Sequence, residues 1–188
     1  MSVRGATMVY LEDGSIDTVE RLYREGIREF KSFALNSNGK AVKTTVSDLR
    51  IDENQVSEFY HVVFGKSYEL VCDKWQKVMK SVDGSIEYTC AKDLTDQDIL
   101  KCMMYYLKGN NDHEFIDTSI AISSVFHRKA RHCEHTYCFE TIEHNILVPQ
   151  VIVNTNIPWP VPVNKKMHFV FNKPTSIKFI AVHDGSIE

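Results

Sequence analysis

The tetrapeptide Asp-Gly-Ser-Ile punctuates this chain at Asp13-Gly14-Ser15-Ile16, Asp83-Gly84-Ser85-Ile86 and Asp184-Gly185-Ser186-Ile187. Each copy follows an apolar or extended-looking segment. Glycine adopts positive φ without steric cost, so Asp-Gly between such segments signals a tight hairpin turn. The flanks of the three copies differ, so they are turns and not a sequence repeat. Between such breaks lie short runs rich in β-branched and aromatic residues: 7–11, 118–126, 135–142, 146–153, 167–172 and 176–182. Those residue types fit a pleated surface, so the runs are expected as strands. Residues 56–75 are expected as a hairpin through Gly65-Lys66. Pro149 has no N–H for a sheet ladder and belongs at an edge or a bend. Asp17 or Thr18 is placed to cap a short helix with Val19, Leu22 and Tyr23 on one face and Gly26 at its end. A second helical period is read at Ile99, Cys102, Met103 and Tyr106, which makes Met103 and Met104 helix core. The expected class is therefore all-β with one or two short helices. The proline-rich "NIPWPVPVNKK" marks a seam or an extended connector.

Bulk properties exclude several classes of function. Among 188 residues, hydrophobic residues are 43% and charged residues 25%, the balance of a globular protein with a core. A net charge of −3 leaves no electrostatic footprint for nucleic acid. No apolar run is long enough to span a membrane, and no leader precedes the first strand. Five cysteines without regular spacing point to free thiols in a reducing, cytoplasmic setting. His132, Cys133, His135, Cys138 and His144 have the side-chain types that hold zinc. The first three of them crowd one short run, where alternate side chains face opposite ways, and no second pair of ligands follows. No metal or other cofactor is therefore expected.

Three blocks in order carry a resemblance. Gly5-Ala6-Thr7 and Glu12-Asp13-Gly14 open the chain; Asp93-Leu94 and Asp98-Ile99 follow residues 61–78; Tyr137-Cys138-Phe139, His144-Asn145 and Asn154-Thr155 come last. This order and spacing resembles an intein, the self-splicing Hint domain, over roughly residues 2–155. The resemblance implies a horseshoe of strands. Ala6 stands where the family usually has Asp. The family's Thr-x-x-His motif is missing; if Trp75 aligns with the tryptophan that follows it in some inteins, Leu70 stands for Thr and Asp73 for His. Val153 takes the place of the usual last-strand histidine. Trp75, Cys138 and Thr155 resemble the Trp-Cys-Thr set of the third mechanistic class of inteins, in which an internal cysteine attacks the upstream junction.

The resemblance implies self-splicing through thioester or ester intermediates and asparagine cyclisation, in single turnover. Cys138 is then the first nucleophile, Thr155 the second, and Asn154 the residue that cyclises. His144 assists cyclisation, and Asp73 partly replaces the lost histidine. An alternative wiring makes Ser2 the first nucleophile. Another moves the downstream junction to Val182-His183-Asp184, where Asp stands for Asn and Gly185 offers no nucleophile. The implied organisation is a mini-intein over 2–154 with no homing endonuclease, and 155–188 as downstream host sequence or an extra β-hairpin of the domain. Its partner is the flanking host protein in cis, with no nucleic acid or membrane, and the domain acts as a monomer. Two other classes stay open: a non-catalytic β-rich interaction protein, of viral or other origin, and a small metal-binding module.

Overall fold

The structure is a computed structural model that describes residues 2–13, 15–54, 56–65, 68–108, 112–150, 167–168 and 176–184. In chain order its strands are β1 (Val3–Arg4), β2 (Met8–Tyr10), β3 (Ser15–Thr18), β4 (Phe30–Leu35), β5 (Ala41–Ile51), β6 (Glu58–Phe64), β7 (Tyr68–Cys72), β8 (Lys77–Val82), β9 (Ser85–Cys90), β10 (Ile99–Lys108), β11 (Asp112–Lys129), β12 (Thr136–Thr141), β13 (Asn145–Gln150), β14 (Met167–His168) and β15 (Ser176–His183). One helix, α1 (Val19–Arg24), and a 3-10 turn at Ala91–Asp93 complete the described elements. None of the described helices is long and apolar enough to cross a membrane. The all-β class with short helices is what the residue pattern predicts.

The pairings are antiparallel and run β13-β15-β8-β10-β11-β6-β7-β1-β12-β5-β4, with β9 beside β8 and β15 also touching β10. The strands β14, β3 and β2 form a small separate sheet. The two ends of the long order come back together. Asn145, at the start of β13, accepts a hydrogen bond from the Leu35 N–H on β4 (2.8 Å) and donates one to the Leu35 carbonyl (2.8 Å). A side-chain amide thus stands in for a ladder rung and closes the curled sheet. Pro149 lies in β13, which among the described residues has a paired neighbour on one side only, a place that suits a residue without an N–H.

Local chemistry explains the turns. Asp83 (φ 47°) and Gly84 (φ 81°) join β8 to β9, the two-residue turn with positive φ at both central positions. Helix α1 is capped by the Thr18 side chain, which accepts from the Arg21 N–H, and it buries Val19 and Leu22. Its first turn also bonds to the opening segment: Glu20 N–H to Gly5 O (3.0 Å) and Val19 N–H to Thr7 O (3.0 Å). A Cβ at residue 5 would come within 2.9 Å of the Glu20 Cβ and of the Tyr137 ring, so this close approach requires glycine.

The second expected helix is a strand. Residues 99–108 form β10, paired with β11, β15 and β8, and Met103 and Met104 are strand residues. The physical reason is that β10 is covered on both faces. Leu100 and Cys102 enter one apolar cluster with Ile146, Val148, Ile180 and Val182. Met103 and Tyr105 enter another with Leu147, Phe179 and Ala181. Even and odd positions therefore serve different cores, and a strand buried on both faces reads as a continuous apolar run that periodicity cannot tell from a helix.

The strand β15 is interior to the sheet, bonded to β13 over Asn145–Gln150 and to β10 over Cys102–Tyr106. Phe179, Ile180, Ala181 and Val182 are all buried.

Candidate functional site

The first residues enter the sheet between two strands. Val3 pairs with Cys72 on β7 and with Tyr137 on β12. Ser2, one step before it, is buried. Its hydroxyl donates to Asp73 Oδ2 (2.8 Å), and the Asp73 N–H donates to the Ser2 carbonyl (3.1 Å). Asp73 is itself buried, and its other oxygen accepts the Trp75 N–H (2.6 Å), the local turn that aspartate favours. This fixes the carboxylate with one oxygen aimed at Ser2. On the other side, β1 pairs with β12 through Val3 and Tyr137, and Cys138 is the next residue of β12, paired with Arg50 on β5. Burial pushes the Cys138 thiol above its ordinary value, with the nearby Arg50 pulling the other way.

The loop after Asp73 reaches a second group of residues. Buried Gln76 donates its backbone N–H to the Asp73 carbonyl (3.2 Å) and its side-chain amide to the His183 carbonyl (2.7 Å). Residues 73–76 therefore touch Ser2 at one end and His183, the last residue of β15, at the other. His183 is buried with its ring edge-on to Tyr88 (5.0 Å between centroids). Asp184 follows, its side chain fully shielded. Asp184 Oδ2 accepts from the Thr141 N–H (2.8 Å) and the Thr141 hydroxyl (3.1 Å), and the Asp184 N–H donates to the His144 carbonyl (3.1 Å). Such donors are what a buried carboxylate requires.

His144 occupies the β12–β13 turn at φ 56°, a left-handed position that histidine tolerates better than most residues. Its Nδ1 is 3.8 Å from Asp184 Oδ2, and the His183 Nδ1 is 3.6 Å from Asp184 Oδ1. The two imidazoles lie nearly parallel, 6.4 Å apart. His144 is half-exposed and faces the shielded Asp184 carboxylate.

Ser2 and Asp73 therefore meet at the start of the chain, with Cys138 one residue along β12 from the partner of Val3, and His144 joins His183 and Asp184 at the end of β15. Trp75 sits half-exposed between the two groups, with Lys92 Nζ 4.2 Å from its ring centre. Asn154 and Thr155 lie outside the described residues. Gln76 and Thr141 are the residues that sequence reasoning missed. Neither carries a motif; each becomes visible only when its partner, His183 or Asp184, is brought beside it by the sheet. Among the described residues no group of three histidine, cysteine or acidic side chains is arranged to hold a metal ion.

Chemically, the first group sets the Ser2 hydroxyl against a carboxylate oxygen of Asp73. The second holds a shielded carboxyl one atom chain away from its own backbone carbonyl, with an imidazole at hand.

No protein-family model and no curated protein sequence matches the chain. Solved structures do. The crystal structure of the TvoVMA intein aligns over 98% of both chains with a TM-score of 0.60 at 14% identity. The solution structure of a bacterial intein-like domain from Clostridium thermocellum aligns over 97% of this chain and 96% of its own, with a TM-score of 0.58 at 15% identity. The AceL NrdHF class 3 split intein aligns over 98% of this chain and 99% of its own, with a TM-score of 0.57 at 11% identity. The chain has the intein fold, the all-β Hint architecture.

Proposed function

We propose that this chain is a self-processing domain of the protein-splicing type, inserted in a host polypeptide and acting in cis on the peptide bonds at its two ends. The observation that carries the reading is the loop 73–76, which hydrogen-bonds Ser2 at one end and His183 at the other. Two chain ends bound to one short loop gain the effective concentration that acyl transfer between them needs. A non-catalytic interaction protein has no use for such a connection.

At the upstream end, a nucleophile attacks the carbonyl carbon of residue 1. The bond to the Ser2 nitrogen breaks, the nitrogen takes up a proton, and the upstream chain is left on the nucleophile. Ser2 Oγ is supported in this role by its bond to Asp73, which takes the hydroxyl proton as general base. Cys138 is supported by its place on β12, next to the partner of Val3, and by the intrinsic potency of sulfur; its raised thiol pKa weighs against it at neutral pH. We assign Ser2 as first nucleophile, with Cys138 as the alternative or as an acceptor next to it. Trp75 positions the loop through its N–H bond to Asp73.

At the downstream end we assign Asp184 as the residue whose side chain cyclises, His144 as its proton donor, and residues 2–184 as the domain. The support is the tie from Ser2 through Asp73 and Gln76 to His183. Asn154 before Thr155 is the other pair with suitable chemistry. The five free cysteines suit a cytoplasmic setting.

The test is intact-mass spectrometry of the chain fused between two carrier domains, at neutral pH with and without thiol or hydroxylamine, beside Ser2→Ala and Cys138→Ala. Release of the domain from the carriers is expected, and its loss in Ser2→Ala but not in Cys138→Ala assigns the first nucleophile. A folded fusion that stays uncut under every condition overturns the proposal.

A further inference from the structure

The turn between β4 and β5 reads Asn36-Ser37-Asn38-Gly39-Lys40, the one place in the chain where glycine follows asparagine. The side-chain amide of an asparagine can be attacked by the backbone nitrogen of the next residue, closing a succinimide ring. A side chain on that next residue shields the nitrogen, and glycine has none. Gly39 lies at φ 70°, and a Cβ built on it would meet, beyond its chain neighbours, only Ile86 Cδ1 at 3.7 Å. Its surroundings are open.

The other described asparagines are held away from this chemistry. Asn36 precedes serine, and its Oδ1 accepts from the Asn38 N–H (3.0 Å) and the Lys40 N–H (3.0 Å). The Asn54 amide donates to Asp52 Oδ1 (3.1 Å), and a glutamine follows it. Asn145 is buried, fully hydrogen-bonded and followed by isoleucine. Asn38 alone of these is exposed on the turn, with no hydrogen-bond partner for its side chain among the described residues.

From these contacts, and without recourse to the self-processing reading, we infer that Asn38 is a spontaneous modification site: its side chain cyclises onto the Gly39 nitrogen and opens to isoaspartate and aspartate. The Gly39 nitrogen gives its proton to a solvent base and attacks Cγ of Asn38. The new N–Cγ bond forms, the bond from Cγ to Nδ2 breaks, and ammonia leaves with the proton it takes from solvent. One water then opens the succinimide. Addition at Cγ restores the main chain and leaves aspartate; addition at the backbone carbonyl leaves the chain running through the former side chain as isoaspartate. The net change is an amide and a water exchanged for a carboxylate and an ammonium ion.

The turn sets the rate. The Gly39 N–H donates to the Asn36 carbonyl (2.9 Å), and the Asn36 N–H donates to the Lys40 carbonyl (2.9 Å). The Gly39 nitrogen cannot attack while its hydrogen is held, so that bond opens first. One such bond slows conversion about tenfold relative to an unstructured peptide. Either product adds a negative charge, and isoaspartate lengthens the turn by one main-chain atom. The change lies close to Leu35, whose backbone holds Asn145.

The experiment uses the full chain, incubated at neutral and mildly alkaline pH in water enriched in heavy oxygen, then digested briefly with trypsin at low pH. The free peptide of residues 32–40 is the reference. Cleavage after Lys31 and Lys40 isolates the turn, and fragmentation distinguishes isoaspartate from aspartate. The expected result is a mass gain in this peptide, localised to residue 38, with one heavy oxygen and both products present, faster at the higher pH. The three Asp-Gly turns can isomerise only without such a gain, since they lose water and not ammonia. Asn38→Gln is expected to abolish the gain. Asn36→Ala, which removes the acceptor for the Asn38 and Lys40 N–H groups, is expected to bring the rate toward that of the free peptide. A gain that appears first at Asn36 or Asn145, or aspartate as the sole product, overturns the inference. So does an intact Asn38 long after the slowing given above would have let it convert. An unchanged rate in Asn36→Ala overturns the turn as the brake.

Discussion

Replacing Asn145 with alanine tests how the curled sheet is closed. Asn145 is buried, and its amide makes three hydrogen bonds: from the Leu35 N–H (2.8 Å), to the Leu35 carbonyl (2.8 Å) and to the Glu143 carbonyl (2.7 Å). Alanine removes the side-chain partner and leaves both backbone groups of Leu35 without it in a buried place. Each buried polar group left unsatisfied costs about 1–3 kcal/mol, so Asn145→Ala should lose about 2–5 kcal/mol after partial relief by entering water. That is a large share of the ~5–15 kcal/mol that holds a domain together. Asn145→Asp should cost at least as much at neutral pH, because a carboxylate oxygen then faces the Leu35 and Glu143 carbonyls where a donor stood. The assay is urea unfolding followed by circular dichroism, with the slope compared between variants so that a change in midpoint reads as stability. The same substitution loosens the turn that holds His144, so release of a downstream carrier should slow as well. A loss below about 0.5 kcal/mol in Asn145→Ala would refute the reasoning, since that is the range of ordinary surface substitutions. It would mean that β13 and β4 are held together by apolar packing alone.

Other expectations follow from the same contacts. Asp73→Ala should slow upstream cleavage by about 10²–10⁴-fold, the usual worth of a positioned general base, in a single-turnover assay with hydroxylamine; an unchanged rate removes Asp73 from the chemistry. Burial raises the Cys138 thiol, so its thiolate is scarce at neutral pH and gains with rising pH. Peptide mapping after iodoacetamide should show Cys138 labelling that continues to climb above the pH at which an unstructured cysteine peptide levels off. Glu134 is held down to about 2 by the Arg128 guanidinium, whose two nitrogens bond it at 2.6 and 2.7 Å, despite some burial. Its folded pKa lies below the unfolded one, so its stabilisation is complete above about pH 4.5 and is lost as pH falls toward 2. Glu134→Gln should flatten that part of the stability-versus-pH curve and cost about 1–3 kcal/mol at neutral pH; an unchanged acid limb would show that the pair is worth little.

Much of the architecture was legible in the residues, because its causes are local. The Asp-Gly turn at 83–84 needs positive φ that few residues adopt, and it lies where β8 meets β9. Thr18, Val19, Leu22 and Gly26 spell a short capped helix, and α1 has that cap and that buried face. Gly65, the runs 118–126 and 176–182, and Pro149 on an edge all answer to neighbours within a few positions. The all-β class, and with it the likeness to inteins, could be read before any contact was known.

What only the tertiary structure decided depends on residues far apart in the chain. Residues 99–106 read as a helix because both faces of β10 are apolar, and only the sheet shows that even and odd positions meet different cores. Asn154-Thr155 drew attention by sequence alone, through a familiar pair of letters. That pair lies outside the described residues; around Val182-His183-Asp184, the other ending the letters offer, the contacts come from distant parts of the chain. The bond of Ser2 to Asp73 spans 71 positions, and that of Gln76 to the His183 carbonyl spans 107. No periodicity or spacing predicts such pairs, since they exist only where the folded sheet brings the two ends of the chain against one loop. The residue types were thus written in the sequence, but which of them meet is a property of the closed sheet.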